Sequence, residues 1–337
     1  MSSDKKTVFV TGGAGYVGSH CCKVFSRSGW NVVVYDNLSR GWRDLVKWGT
    51  LIEGDILDRE MLFSSLEEVK PDAVAHFAAL AYVGESIDRP DIYYRNNVEG
   101  SINLLDAMKA AEVDEVVFSS TCATYGNPEY LPLDEKHPQN PINPYGKSKL
   151  MIEHALKDYS EAFGVRSVSL RYFNAAGADP DGETGERHEP ETHLIPLALR
   201  GAGDPNYTLK ILGDDYETRD GSAIRDYIHV MDLAEAHLLA LDYLKHGGGT
   251  TQINLGTGLG TSVIEIRDSV QRITGKLINT KFAPRRPGDP ANLVAAPNTA
   301  QKLLGWEPKY SNLDRLIGDA WRWYQADTEL CKQTGEH

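Results

Sequence analysis

The chain has 337 residues, 41% of them hydrophobic and 25% charged, a globular composition with length for one large domain or two modest ones. A formal charge of −13 argues against nucleic acid or anionic membrane as general partners, although a local arginine cluster can still hold an anion. No apolar run approaches the roughly 18–20 residues needed to cross a bilayer, and Met1-Ser2-Ser3-Asp4-Lys5-Lys6 does not read as a signal peptide, so a cytoplasmic location is expected.

In chain order, β-branched or aromatic runs at residues 7–10, 31–35, 50–52, 73–77, 115–119 and 167–171 read as strands. The intervals between them are long enough for crossover helices. That pattern predicts an α/β fold with a Rossmann-type, doubly wound parallel sheet. The four cysteines are Cys21, Cys22, Cys122 and Cys331, with no CxxC pair. They read as reduced core thiols, and no metal site is expected.

The first strand runs into Gly12, Gly15 and Gly18 at three-residue spacing, and then into a helix. Absent side chains let a backbone turn tightly against a pyrophosphate, which the helix N-terminus attracts. The spacing is GxxGxxG, and its place at the first strand–helix junction is what makes it a dinucleotide signal. Asp36 ends the second strand, where a carboxylate accepts from the ribose hydroxyls and repels a 2′-phosphate; NAD is therefore favoured, although Arg40 and Arg43 leave some room for NADP. Asp55 follows the third strand, where an acid can meet the adenine amino group.

The fifth strand ends in FSSTCATYG, which carries Ser119, Ser120 and Thr121 to the edge where ligands bind in such sheets. A helix is then expected from Asn143 as cap and Pro144 in the first turn to Gly164 just past its end. Tyr145 and Lys149 lie four apart on one face of it. A phenol loses its proton near pH 10, and a nearby ammonium and a positive nicotinamide ring both favour the phenolate. Thr121 is placed to relay a proton from a reacting hydroxyl to Tyr145.

After Asn174 the texture changes. Residues 175–192, AAGADPDGETGERHEPET, read as a long loop, functional or disordered. Mixed helix and strand pieces follow, and 230–244 has helical apolar spacing. The expected division is an NAD-binding domain at 1–173, joined by 226–258, and a smaller mixed α/β substrate domain at 174–337.

Taken together, TGGAGYVGSH, YDNLSRG, EGDI, HFAALAYVGES, NNVEG, SSTCATYG, NPYGKSK, RYFNAAGA, RDYIHVMDLAEAH and APRRPGD resemble the UDP-glucose (UDP-galactose) 4-epimerase family of the extended short-chain dehydrogenase/reductase superfamily. The resemblance implies a resident NAD, with Tyr145 taking the proton of the sugar 4-hydroxyl while C4 gives up hydride. The 4-keto sugar then turns about its pyrophosphate and is reduced on its other face. It also implies that Tyr16, Val17, Asp36, Asn37, Asp55, Ile56, Phe77, Ala78, Asn96, Lys149 and Phe173 line the cofactor with Gly12, Gly15 and Gly18. Asn174, His193, Leu194, Leu212, Arg225, Arg286, Asp289 and Leu293, with Thr121, would hold the UDP-sugar, and family members are commonly homodimers.

This sequence departs from the family pattern in places. Ala81 stands where many members carry a lysine near the cofactor phosphates, Thr192-His193 replaces a common Asn-Asn, and Leu293 replaces a tyrosine or small residue beside the sugar. HFAALAYVGES, SSTCATYG and INPYG also look like the UDP-xylose/UDP-arabinose 4-epimerase branch, so pentose and hexose both stay open at this point. Dehydratases and decarboxylases of the superfamily carry an acid just after the strand-five hydroxyl. Here Cys122 and Ala123 occupy those positions, which disfavours elimination. A non-catalytic NAD sensor is disfavoured because Tyr145 and Lys149 are both kept. A dehydrogenase exchanging free NADH differs in needing added cofactor.

Overall fold

The computed structural model describes residues 5–286 and 289–334, with side chains to residue 330; the Cys331 thiol lies outside the described residues. The first lobe runs β1 (Thr7–Thr11), α1 (Tyr16–Arg27), β2 (Asn31–Asp36), β3 (Thr50–Glu53), α2 (Arg59–Val69) and β4 (Ala73–His76). It continues through α3 (Val83–Asp88), α4 (Pro90–Tyr93), α5 (Gly100–Ala110), β5 (Glu115–Thr121), α6 (Pro144–Phe163) and β6 (Arg166–Tyr172). Each expected strand is present, extended by one or two residues or, at β4, shortened by one. A π-helical stretch, Tyr94–Glu99, precedes α5; such bulges recur at functional sites.

The remainder runs β7 (Asn174–Ala176), α7 (Leu194–Gly203), β8 (Leu209–Leu212), β9 (Ile224–His229), α8 (Val230–Lys245) and β10 (Thr251–Leu255). It ends with β11 (Gly260–Ser262), α9 (Val263–Thr274), β12 (Thr280–Ala283), β13 (Asn292–Leu293), α10 (Asn298–Leu304) and α11 (Leu313–Thr334). Among the described residues the main sheet has seven parallel strands, ordered β10-β6-β5-β4-β1-β2-β3. The order reverses between β1 and β4, and ligands bind outside the carboxyl ends of the strands at such a point. A smaller sheet groups β7, β11 and β13 around β9, and β8 pairs with β12.

Alternation along β1 shows why the sheet is buried on both faces. Val8 and Val10 join Phe25 of α1 and Leu233 and Leu241 of α8 on one side. Phe9 joins Leu62 and Leu66 of α2, Leu104 and Met108 of α5, and Ile152 and Leu156 of α6 on the other. Thus α8, whose helical spacing the sequence shows, returns to the first lobe, packs on α1 and delivers β10 to the sheet edge beside β6.

Of the loop expected at 175–192, Ala175 and Ala176 instead end β7, paired with β9, and residues 177–193 contain neither helix nor strand yet are firmly attached. Tyr16 Oη donates to the Gly177 carbonyl at 2.7 Å, and the Ser19 and Thr184 hydroxyls are 2.9 Å apart. The buried Lys23 ammonium is shared by Asp179, by Asp181 at 2.9 Å and by Glu183 at 2.7 Å. Trp42 Nε1 donates to the Arg187 carbonyl at 3.0 Å, and the Arg187 guanidinium joins Asp44 and Asp327. The loop is bound to the first lobe by ion pairs together with hydrogen bonds from Tyr16, Ser19 and Trp42.

A second buried charge pair fixes α6. Arg171 of β6 and Glu153 of α6 are almost fully enclosed, with guanidinium–carboxylate distances from 2.5 to 3.2 Å. Ser120 Oγ donates to the same carboxylate at 2.5 Å, and Arg171 Nη1 donates to Tyr125 Oη at 3.0 Å. Removing one partner strands the other charge in a low-dielectric interior. Arg171→Met is expected to cost about 3–5 kcal/mol in urea unfolding, with much of the loss recovered by adding Glu153→Leu. An Arg171→Met protein as stable as the parent would show the pair to be energetically idle.

Candidate active site

The glycine turn is sterically committed. Gly12 has φ +75°, and a Cβ there would lie 2.5 Å from the Ala78 amide nitrogen. At Gly18 a Cβ would lie 2.2 Å from the Gly12 carbonyl oxygen, so α1 is pressed against the turn that precedes it. The N-cap of α1 is Gly15, with no side-chain cap, and no acidic residue stands in the first turn. The first-turn amides are therefore left for an anion, which the helix dipole favours. Asp36 sits at the end of β2, its carboxylate accepting from Ala14 N at 3.0 Å and Leu38 N at 2.9 Å. Burial raises its pKa, and these two amides oppose the rise. Glycine cradle, bare helix start and strand-end carboxylate together fit a dinucleotide.

One cleft runs from this cradle across the β1/β4 switch point. Its lining includes Gly12, Gly15, Tyr16, Val17, Gly18, Asp36, Asn37, Ile56, Phe77, Ala78, Asn96, Thr121, Tyr145, Phe173, Asn174 and His193, all singled out by sequence. Asp55 is just behind, taking a hydrogen bond from Asn37 Nδ2 at 2.9 Å. Arg40, Tyr82, Ser119, Tyr172 and His188 also line it without having been picked as ligands. For His188 the available signal was a histidine set among acids in a loop too long to be idle.

Helix α6 starts as its sequence dictates. Asn143 Oδ1 accepts from Gly146 N at 2.8 Å, Pro144 occupies the first turn, and Gly164 closes the helix at φ +75°. The start of α6 brings Tyr145 to the cleft beside Thr121, at the carboxyl end of β5. Thr121 Oγ1 accepts from Ala123 N at 3.1 Å, and its hydrogen bonding to the phenol acts to lower the Tyr145 pKa. Burial outweighs it and pushes the phenol up.

Lys149 donates from Nζ to the Ser119 carbonyl at 2.9 Å and lies 6.0 Å from the Tyr145 ring centroid. Burial lowers its pKa to about 7, against the upward pull of Glu153 one turn on. Helical spacing alone puts the ammonium where it would pull the phenol down. In the folded chain desolvation dominates both groups, and the ammonium is aimed at a backbone carbonyl.

Six residues expected around the UDP-sugar do not line the cleft: Leu194, Leu212, Arg225, Arg286, Asp289 and Leu293. Most gather beyond its far end. Leu293 is in register with Arg225, and it packs on a cluster containing the cleft residue Phe173. Arg225 Nη2 donates to Asp289 Oδ1. Leu212 is in register with Ala283, three residues before Arg286, and Leu194 begins α7 directly after His193.

The model of the NAD dependent epimerase/dehydratase family matches residues 8–256. The chain is 52% identical over 317 residues to a UDP-glucose 4-epimerase of Rhizobium meliloti (strain 1021), covering 94% of this chain and 96% of that one. A crystal structure of UDP-glucose 4-epimerase from Brucella ovis in complex with NAD superposes with a TM-score of 0.92 at 53% identity, covering 95% of this chain and 98% of that one. The Bifidobacterium longum UDP-glucose 4-epimerase with NAD⁺ and UDP gives 0.92 at 35% identity, covering 96% and 99%.

Two outcomes test this geometry. Gly18→Ala should lose about 1–3 kcal/mol of stability together with bound dinucleotide, read by denaturant unfolding and by absorbance of released cofactor. Full retention of both would mean that the turn tolerates a side chain. Lysine NMR with isotope label should find Lys149 charged below about pH 7 and neutral above it, and an ordinary value near 10.5 would contradict its burial.

Proposed function

We propose that this chain, which belongs to the NAD dependent epimerase/dehydratase family, interconverts UDP-glucose and UDP-galactose through a 4-keto sugar, as a UDP-glucose 4-epimerase. The observation that carries the reading is Tyr145 beside Thr121 in the same cleft as the glycine cradle and Asp36. NAD held there supplies the acceptor for the hydride leaving sugar C4 and the donor that returns it.

The remaining work falls to the protein. Tyr145 Oη takes the 4-hydroxyl proton, and Thr121 passes it on by hydrogen bonding to both oxygens. Lys149 brings positive charge close to the phenol when protonated and keeps its own position by donating to the Ser119 carbonyl. The phenol's burial makes it a reluctant base, so proton transfer is coupled to the charge placed around it. Tyr145 keeps the proton while the ketone turns, and returns it when the hydroxyl is rebuilt on the other face. No net redox occurs.

Gly12, Gly15, Tyr16, Val17, Gly18, Asp36, Asn37, Asp55, Ile56, Phe77, Ala78, Asn96, Lys149 and Phe173 serve the cofactor in this reading. Asn174, His193, Leu194, Leu212, Arg225, Arg286, Asp289 and Leu293 serve the UDP-sugar, the two arginines gripping its diphosphate. Residues 1–173 with 226–258 form the cofactor domain, and the rest of 174–337 the substrate domain. The hexose reading is supported over a pentose one by relatives named for UDP-glucose. Free Cys21, Cys22 and Cys122 support a reducing cytoplasm, and exposed Met151 and Phe163 on α6 support a homodimer built on that helix.

Incubated with UDP-galactose and no added cofactor, the purified protein should form UDP-glucose, with UDP-xylose as the parallel pentose assay. Absence of any C4 epimer would overturn the assignment. Tyr145→Phe should lower turnover about 10²–10⁴-fold while retaining NAD. Near-parental turnover would remove Tyr145 as the base.

A further inference from the structure

The tethered loop carries a compact group, Glu186, His188, Glu191 and His193, of which the reading above uses only His193, and that for the sugar nucleotide. His188 Nδ1 is 3.1 Å from Glu186 Oε1, and His193 Nδ1 is bonded to the same oxygen. The Glu191 carboxylate stands 3.7 Å from each Nδ1, and its Oε1 is held by the Thr192 and His193 amides at 2.7 Å. Both imidazoles line the cleft. Their Nδ1 edges face the carboxylates, and neither Nε2 has a hydrogen-bond partner among the described residues.

The location matters as much as the chemistry. The ring of Tyr16, first residue of α1, meets the His188 ring edge-on at 6.2 Å, so His188 lies beside the residue that opens the uncapped helix. Tyr82 meets His188 at 5.7 Å and His193 at 6.5 Å, next to Ala81 on the same wall. Among the described residues the cleft lining holds no lysine, and its basic side chains are Arg40, already paired with Glu85 at 2.6 Å, and the two imidazoles. The backbone beneath them is pinned, since Trp323 Nε1 donates to the Glu186 carbonyl at 3.0 Å and Trp42 Nε1 to that of Arg187.

We propose that His188 and His193 form a diphosphate subsite: Glu186 and Glu191 hold both Nδ1 edges, and both Nε2–H groups donate to a diphosphate lying against the start of α1. The subsite rests on the dinucleotide reading of this cleft. Glu186 and Glu191 raise both imidazoles against desolvation, His188 to about 10, so His188 carries its charge at neutral pH. With Nδ1 held by carboxylates and Nε2 left without a partner among the described residues, each of these cleft-lining rings offers one directed donor. The diphosphate has two sources, the dinucleotide and the UDP-sugar. Proximity of His188 to the α1 start assigns it to the dinucleotide, and His193, adjoining Leu194, is where the two come nearest.

The test uses the purified holoprotein. His188→Gln and His188→Asn, with folding followed by circular dichroism, should lose NAD about 10-fold to 100-fold faster than the parent on dilution, while UDP affinity changes less than about 2-fold. His188→Lys, which keeps a cation, should recover most of the retention. If UDP weakens about 10-fold instead and NAD is held, the subsite stands and its diphosphate is the sugar nucleotide's. Unchanged NAD retention and unchanged UDP affinity in both neutral variants overturn the subsite. A parent protein that neither retains NAD nor epimerises fails the function above, an outcome separate from any result on His188.

Discussion

Everything at the reacting end of the cleft depends on how α6 is held against β5 and β6. The pair between Arg171 and Glu153 does this with charge in an interior where charge is costly. Ser120 and Arg171 hold the Glu153 carboxylate from two adjacent strands, and Tyr125 ties Arg171 to Asn254 of β10 through bonds of 3.0 and 2.6 Å. Hydrophobic packing of Ile152 and Leu156 supplies adhesion but tolerates sliding. Hydrogen-bonded charges do not, and one turn of register on α6 would carry Tyr145 out of the cleft. Buried pairs of this kind are better regarded as devices for position than as sources of net stability.

The same carboxylate has an electrostatic effect on the chemistry. Glu153 is four residues from Lys149 and raises the pKa that burial has lowered. Its negative charge is largely spent on Arg171, so the ammonium receives only part of it. A lysine poised near neutrality can change its charge with modest changes in surroundings, whereas an exposed one would stay protonated through the whole working range. Tyr145 shows the complementary constraint: the more completely the cleft excludes water, the more its phenol depends on positive charge arriving with the ligands.

Local signals in the sequence were enough for much of this. β-branched runs, the Gly12–Gly18 spacing, Asp36 at a strand end, and the Asn143, Pro144 and Gly164 caps each encode one element, and each element is present. Elements defined by long-range contact were less legible. Nothing local in residues 175–192 shows that Lys23, buried in α1, binds three of its acids, or that Trp42 and Trp323 fix its carbonyls. The Lys149 ammonium's aim at the Ser119 carbonyl was likewise invisible, because helical spacing places two side chains on one face without saying which third group competes for them.

The tethered loop and α8 bear on how the two lobes relate. Helix α8 and β10 leave the smaller sheet at β9 and bury their apolar faces in the first lobe, so the chain crosses between lobes more than once. Residues 177–193 add the ion pairs of Lys23 and Arg187. With an apolar return through α8 and a charged strap both fastened to α1, a wide hinge opening would have to break both kinds of contact together. Motion that lets a ligand turn within the cleft therefore has to leave the α8 return and the charged strap in place.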